Sequence, residues 1–358
     1  MSIQIENPQG VEALTEFVRF HDQVYEYRGA RWPAAVEFQV PVLTGESPFA
    51  QGRKLRPFLA RTAGRIVARA VAVVDERYNR YWQERLGHII MFEALPETRE
   101  ATKLLMDAAC DWLADQGTEA ARAGFGLLEF PFVLDDYDSL PPNFVHQNPI
   151  YYHRLLKDAG FESEKGWVDY KIAVRPELVT RWESAIEAAR RAGYEIVPLK
   201  DVPEARRVSE FTDTFNDTFK AHWGWTPFIT DEIALLFEAF TPVGMLETSV
   251  LAYHDGAPVG MVFVVPEVTA TAVLHPGRVV QDAEKLNFLG IGVREAARGR
   301  GVNLAMAAYA YLELVRRGAR YVSYTLVLDD NWPSRRTAEK LGAFVCANYL
   351  VYRRNFRR

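Results

Sequence analysis

Apolar and polar positions along the chain fall into one order of elements, and that order occurs twice. In the first half, residues 87–92 (GHIIMF) form a continuous apolar run that predicts a buried strand. A helical period follows over about 97–116 and stops at Gly117. A second apolar run, 125–132 (FGLLEFPF), predicts the next strand, and 151–161 reads as a short helix stopped at Gly160. The second half repeats this: a strand at 286–293 (LNFLGIGV), a helix over about 302–317 stopped at Gly318, a β-rich strand at 321–328 (YVSYTLVL), and a short helix at 334–341 stopped at Gly342. Each half also carries an upstream hairpin. One spans 57–74 and turns at Ala63-Gly64; the other spans 249–265 and turns at Asp255-Gly256, a pair suited to the tight turns that match strand twist. The interval from Phe92 to Gly117 equals that from Val293 to Gly318, while an acidic, proline-rich insertion at 133–152 lengthens the first copy. The repetition predicts two α/β (α+β) domains of one fold arising by divergent duplication, 1–175 and 176–358. The division falls near Arg175-Pro176, and a helix at 177–192 links the halves or opens the second.

Composition narrows the picture without redirecting it. At 358 residues the chain is long enough for two cores. A net charge of −5 argues against a nucleic-acid partner, which selects a basic surface. Two distant cysteines, Cys110 and Cys346, cannot build a cysteine zinc site and read as idle thiols in a reducing cytoplasm. The first residues lack the basic and apolar segments of a secretion signal. The apolar stretch 302–315 contains Asn303 and Glu313, so it reads as a buried core helix. The expectation is a cytoplasmic protein without membrane or metal.

Chemistry concentrates at Val293-Arg-Glu-Ala-Ala-Arg-Gly-Arg-Gly-Val-Asn-Leu304, where a strand ends, two glycines alternate with two arginines, and a strong helix begins. A helix start offers free N–H groups and the positive end of the helix dipole. Glycine lets the backbone approach an anion closely, and Arg298 and Arg300 add charge at the same point. A diphosphate fits such a place.

Here the sequence resembles the GNAT superfamily of N-acetyltransferases, whose pyrophosphate loop reads Arg/Gln-x-x-Gly-x-Gly/Ala. The matching residues are Arg298, Gly299, Arg300, Gly301, Val302 and Asn303, with Asn303 in place of a small residue. Asn331-Trp-Pro-Ser334 followed by Glu339-Lys-Leu-Gly-Ala-Phe344 resembles the family's Asn-x-x-Ala/Ser and Glu-Lys-x-Gly-Phe segments. The resemblance implies two tandem GNAT-like domains, each a mixed, mostly antiparallel twisted sheet flanked by helices. It implies acetyl-CoA as acyl donor, a small-molecule amine or peptide as acceptor, Asn331 on the pantetheine arm and Ser334 near the cofactor. It also implies pantetheine bonded to the backbone of Ile291 and Val293 where two central strands splay.

The sequence departs from the family in two places. The tyrosine that many members use to protonate the leaving thiolate is replaced by Ala338, so Tyr324, Tyr349 and Tyr352 are the candidates for that role. The corresponding turn of the first half, 93–100 (EALPETRE), has no glycine and three glutamates. Such a turn suits a solvated helix start and repels a diphosphate, so the first half reads as a degenerate copy without the cofactor. Its segment 148–152 (NPIYY) resembles tandem GNAT proteins in which the degenerate half helps to shape the acceptor cleft. His222, in the aromatic loop His222-Trp-Gly-Trp225, is a candidate base for an amine, set against a loop simply packed on the core. Asp213 and Asn216 read as solvated, Asp282 and Glu284 as a surface loop with a water-mediated base role as the alternative, and Asp135–Asp138 as a solvated turn. His146 and His153 do not share a helix face. Two rivals to the acetyltransferase are a transferase using another activated donor, such as aminoacyl-tRNA, and a non-catalytic CoA-binding sensor.

Overall fold

A computed structural model of the chain describes residues 2–356. The first half runs β1 (Ile3–Glu6), α1 (Val11–Val24), β2 (Ala30–Arg31), α2 (Val36–Thr44), β3 (Arg53–Thr62), β4 (Arg65–Asp75), α3 (Glu76–Trp82), β5 (Leu86–Ala94), α4 (Arg99–Asp115), β6 (Ala120–Ala123), β7 (Phe132–Val133), α5 (Tyr152–Asp158) and β8 (Glu162–Ala173). The second runs α6 (Pro176–Arg191), β9 (Tyr194–Pro198), α7 (Glu204–Phe219), α8 (Thr230–Phe240), α9 (Met245–Thr248), β10 (Val250–His254), β11 (Ala257–Val265), β12 (Val273–Leu274), β13 (Phe288–Val293), α10 (Val302–Arg316), β14 (Tyr321–Leu328), α11 (Trp332–Lys340) and β15 (Phe344–Asn355). Both hairpins form as the pattern predicts. Their turn pairs are left-handed, Ala63 (φ 50) with Gly64 (φ 78) and Asp255 (φ 51) with Gly256 (φ 76), which is the geometry that matches right-twisted strands.

One strand is not where the apolar pattern put it. The run 125–132 is mostly a loop, and the strand beside β5 is the inconspicuous Ala120–Ala123. Positive φ at Gly124 and Gly126 breaks the run, and Pro131 has no N–H for a ladder. The apolar side chains of the loop cover cavities instead of a sheet.

Among the described residues, one nine-stranded sheet has the order β1-β3-β4-β5-β6-β15-β8-β14, with β7 also on β15; a four-stranded sheet has the order β13-β11-β10-β9. Within these sheets only β5–β6 is parallel. The last strand of the chain, β15, lies between β6 and β8, while β8 pairs with β14. Each half thus lends its final strand to the sheet of the other, and the large sheet continues across the Arg175-Pro176 junction. α4 packs over β3 and β4, and α6 packs on α10. The helix α10 is a core helix: Val302, Ala305, Met306, Ala308 and Tyr311 are buried. Both cysteines are free, and among the described residues no helix is long and apolar enough to cross a membrane.

Candidate active site

β13 and β14 are neighbours without being ladder partners, and side chains bridge them at one end. Asn287 donates its side-chain N–H to the Ser323 carbonyl (3.0 Å) and accepts from the Ser323 N–H (2.8 Å). The Thr325 hydroxyl accepts from the Leu289 N–H (2.8 Å) and donates to the Leu289 carbonyl (2.7 Å). Beyond Leu289 the strands part. In an antiparallel strand, alternate residues turn both backbone groups to the same edge. Ile291 and Val293 therefore face the gap, as Leu289 does. β14 is bent on its side by a bulge between Tyr324 and Val327, with Leu326 left-handed (φ 49). The carboxylate of Asp169, on β8, holds that bulge by accepting from the Leu326 N–H (2.5 Å) and the Tyr349 hydroxyl (3.2 Å). Burial pushes the Asp169 carboxyl up to about 7 despite those donors. Asn287, Thr325 and Asp169 were not singled out from the sequence; a polar residue inside an apolar strand run is the signal that marks Asn287.

The gap leads to the start of α10. Gly299 (φ 75) and Gly301 (φ 81) stand in open space, and a Cβ at either would meet no atom within 4 Å. Arg298 is exposed and donates Nε to the Val293 carbonyl (3.1 Å). The first N–H groups of a helix have no intrahelical acceptor; those of Val302 and Asn303 open α10, while that of Leu304 donates to the Asn303 side chain (2.9 Å). Ile291, Val293, Arg298, Gly299, Asn303, Tyr324, Asn331 and Ser334 line one cleft, together with His222. Arg300 and Gly301 are exposed beyond that lining, and Val302 is buried, leaving only its backbone for the site. Asn303 bonds Thr337 (2.9 Å) and so ties α10 to α11. Asn331 caps α11 by accepting from the Ser334 N–H (3.3 Å).

Behind the splayed strands the cleft opens into an apolar chamber, with Phe219, His222, Ile291, Tyr324, Asn331 and Ser334 lining both. α7 contributes Phe211 and Phe215, α8 contributes Ile233 and Leu236, and Phe263 and Phe288 come from the sheet. The first half adds Phe125, Phe130, Phe144 and Trp167. Trp225 packs against Phe215, Phe219 and Phe228 with ring centres 5.2–5.4 Å apart, so the aromatic loop is both core packing and chamber wall. Burial pushes the His222 imidazole down to about 4, which makes it neutral near pH 7, and its Nδ1 has no partner.

The first half grips this loop. Trp82 donates to the Trp225 carbonyl and Tyr81 to the Lys220 carbonyl (both 2.7 Å), and the Arg122 guanidinium lies 4.2 Å from the Trp223 ring centre. Asn216 is not the solvated residue expected. Its side chain bonds the Phe228 backbone in both directions (2.8 and 2.9 Å), while Asp213 is exposed. Glu232, fully buried on α8, takes Arg53 (2.6 Å), Arg77 (2.7 and 2.9 Å) and the Ile229 N–H (2.9 Å). Glu232→Gln removes the carboxylate that the half-buried Arg77 pairs with and leaves Arg53 to Asp75. A loss of about 1–2 kcal/mol is expected in chemical denaturation, together with altered tryptophan fluorescence from the loop. Unchanged stability and emission would show that the clamp is idle.

The three tyrosine candidates separate cleanly. The Tyr324 hydroxyl is 2.9 Å from Ser334 Oγ in the cleft; Tyr349 donates to Asp169; Tyr352 bonds His153 in the first half. Ala338 is fully buried. Glu284 is neither a surface-loop residue nor a base candidate, because it is buried and accepts from Arg278 and the N–H groups of Leu140 and Gln281. Asp135 accepts from Asn348. Glu93, expected to be solvated at a helix start, is instead the penultimate residue of β5, buried and ion-paired with Arg69 (3.0 Å) and His21 (2.5 Å). Among the described residues no group of three or more His, Cys, Asp or Glu side chains could hold a metal ion.

Residues 208–343 match the model of the acetyltransferase (GNAT) family, a span that contains most of α7, both splayed strands, the start of α10 and α11. That segment is thus of the GNAT type. Two solved structures share the fold over the whole chain. One is a tandem GNAT protein from the clavulanic acid biosynthesis pathway, 13% identical with a TM-score of 0.59, covering 99% of this chain and 98% of its own. The other is a GCN5-related glucosamine N-acetyltransferase region of a fungal multi-domain β-N-acetylglucosaminidase, 14% identical with a TM-score of 0.60. There, 98% of this chain corresponds to only 38% of that longer one. Among curated proteins, a bacterial ceramide synthase from Caulobacter vibrioides (strain NA1000 / CB15N) is 22% identical over 327 residues, 86% of this chain and 85% of its own.

Proposed function

We propose that this GNAT protein is an N-acyltransferase that moves an acyl group from a CoA thioester to an amine, and that the group is longer than acetyl. The observation that carries the reading is the continuity between the cleft at α10 and the aromatic chamber behind the splay. An acetyl group would leave most of such a chamber unfilled, whereas each methylene buried there contributes about 0.8 kcal/mol. The ceramide synthase relative supports the same choice, since a ceramide is a long-chain amide of a long-chain amino alcohol.

In this reading the glycine-arginine loop and the α10 N–H groups hold the diphosphate, and the gap-facing backbone of Ile291 and Val293 holds the pantetheine arm. The amine nitrogen attacks the thioester carbon and the C–S bond breaks. N–H groups near Val293 stabilise the developing oxyanion. Neutral His222 accepts the proton that the amine loses, and Tyr324, backed by Ser334, donates one to the departing thiolate. Thiol release with acyl-CoA donors from acetyl to palmitoyl, across a panel of amines, tests it. kcat/KM is expected to rise by about tenfold or more with chain length. Acetyl-CoA as the best donor would overturn the longer-chain reading, and CoA binding without any turnover would favour the sensor.

A further inference from the structure

Leu128, Phe130 and Phe144 bound the apolar chamber on one side and a second cavity, of about 390 Å³, on the other. This second cavity lies mainly in the first half, and its floor is charged. Burial works against the Glu93 carboxylate, but Arg69 and His21 outweigh it and hold its pKa low, so that charge is matched. Glu129 is different. One oxygen accepts from the Met91 N–H (3.2 Å); the other is enclosed, 3.3 Å from a ring nitrogen of His146, and closes no hydrogen bond. The other His146 nitrogen, Nδ1, is enclosed without a partner. The hydroxyl of Tyr25, a residue with no exposed surface, is enclosed beside that of Tyr152, which accepts from the Ala94 N–H. Such groups cost free energy until something satisfies them.

The wall of this cavity is built from turns. Leu127 and Leu128 form the two-residue turn that Gly126 and Glu129 close, Phe144 lies in the turn from Pro142 to Val145, and Met91 sits where the register of β4 and β5 shifts; all four line the polar cavity.

We propose that the polar cavity is a second ligand site, taking a small organic ammonium ion that also carries hydroxyl groups. With Arg69 and His21 set against Glu93, the Glu129 carboxylate is left to His146, 3.3 Å away and without a closed hydrogen bond, which favours a cationic donor over an anion. Tyr25 and His146 offer hydrogen bonds to hydroxyls. The aromatic rings of Trp32, Phe38 and Phe144 on the cavity wall suit a cation better than a neutral polyol. The site is independent of the donor chemistry in the cleft, so the two readings fall separately.

The test is calorimetry of the full chain with 2-amino-1,3-propanediol, with glycerol and tetramethylammonium as partial mimics. The aminodiol is expected to bind more tightly than either mimic. Glu129→Gln should weaken it by about tenfold, and Tyr25→Phe by a smaller factor, with CoA binding unchanged in both. Aminodiol binding should also survive Arg298→Glu with Arg300→Glu. Glycerol binding as tightly as the aminodiol would overturn the proposal. So would a folded Glu129→Gln or Tyr25→Phe protein, certified by intact CoA binding, that holds the aminodiol as the parent does.

Discussion

Replacing Arg298 and Arg300 together by glutamate is expected to weaken CoA binding by about a thousandfold or more, because each charge-assisted phosphate contact contributes about 1.5–3 kcal/mol and the substituted carboxylates repel the same anion. The corresponding turn of the first half has no glycine and carries glutamates instead. The fold should not suffer. Both arginines are exposed, and the one bond lost is from Arg298 Nε to the Val293 carbonyl, so stability should stay within about 0.5 kcal/mol. Calorimetric titration of CoA, with thermal denaturation alongside, measures both. Raising ionic strength should weaken the parent, whose attraction is screened, and slightly strengthen the variant, whose repulsion is screened. A variant that binds CoA within a few-fold of the parent would remove the electrostatic basis of the proposed donor site.

That loop was legible because its chemistry is local. Two glycines, two arginines and a helix start lie within a few residues, and the helix they open is marked by its own apolar period. Both hairpins, α4, α10 and β14 were legible for the same reason. What the sequence withheld was long-range. The exchange of β8 and β15 between the halves depends on which edges meet, and no residue in either strand encodes its partner. The splay rests on Asn287 and Thr325, whose side chains bond across 36 residues, and on Asp169, which reaches Leu326 across 157. Three misreadings share one cause. The apolar run 125–132, Asn216 and Glu93 were judged by hydropathy, whereas each is fixed by a tertiary partner: cavities, the Phe228 backbone, and Arg69 with His21. The first half was also only half visible. Its glycine-free, acidic turn could be read, but not that its helices and arginines clamp the aromatic wall of the other half.

Tyr324→Phe should lower kcat by about a hundredfold while leaving KM for the acyl-CoA nearly unchanged, because a general acid contributes in the transition state and not to donor binding. Burial pushes the Tyr324 hydroxyl up to about 12, so it holds its proton throughout the working range and loses it only near that value. Burial holds His222 down to about 4, so it stays an unprotonated acceptor above that pH. Between these limits neither group titrates. The rise of kcat/KM with pH in the parent should then follow the acceptor's own ammonium as it becomes a nucleophilic amine, and Tyr324→Phe should keep that shape at a lower level. Ser334→Ala, which removes only the partner 2.9 Å from the hydroxyl, should cost much less than the loss of the hydroxyl itself. The decisive pattern is therefore a kcat defect with unchanged KM and an unchanged pH profile. A Tyr324→Phe enzyme turning over within about twofold of the parent would assign the proton to another group, and a raised KM would make the hydroxyl a binding contact instead.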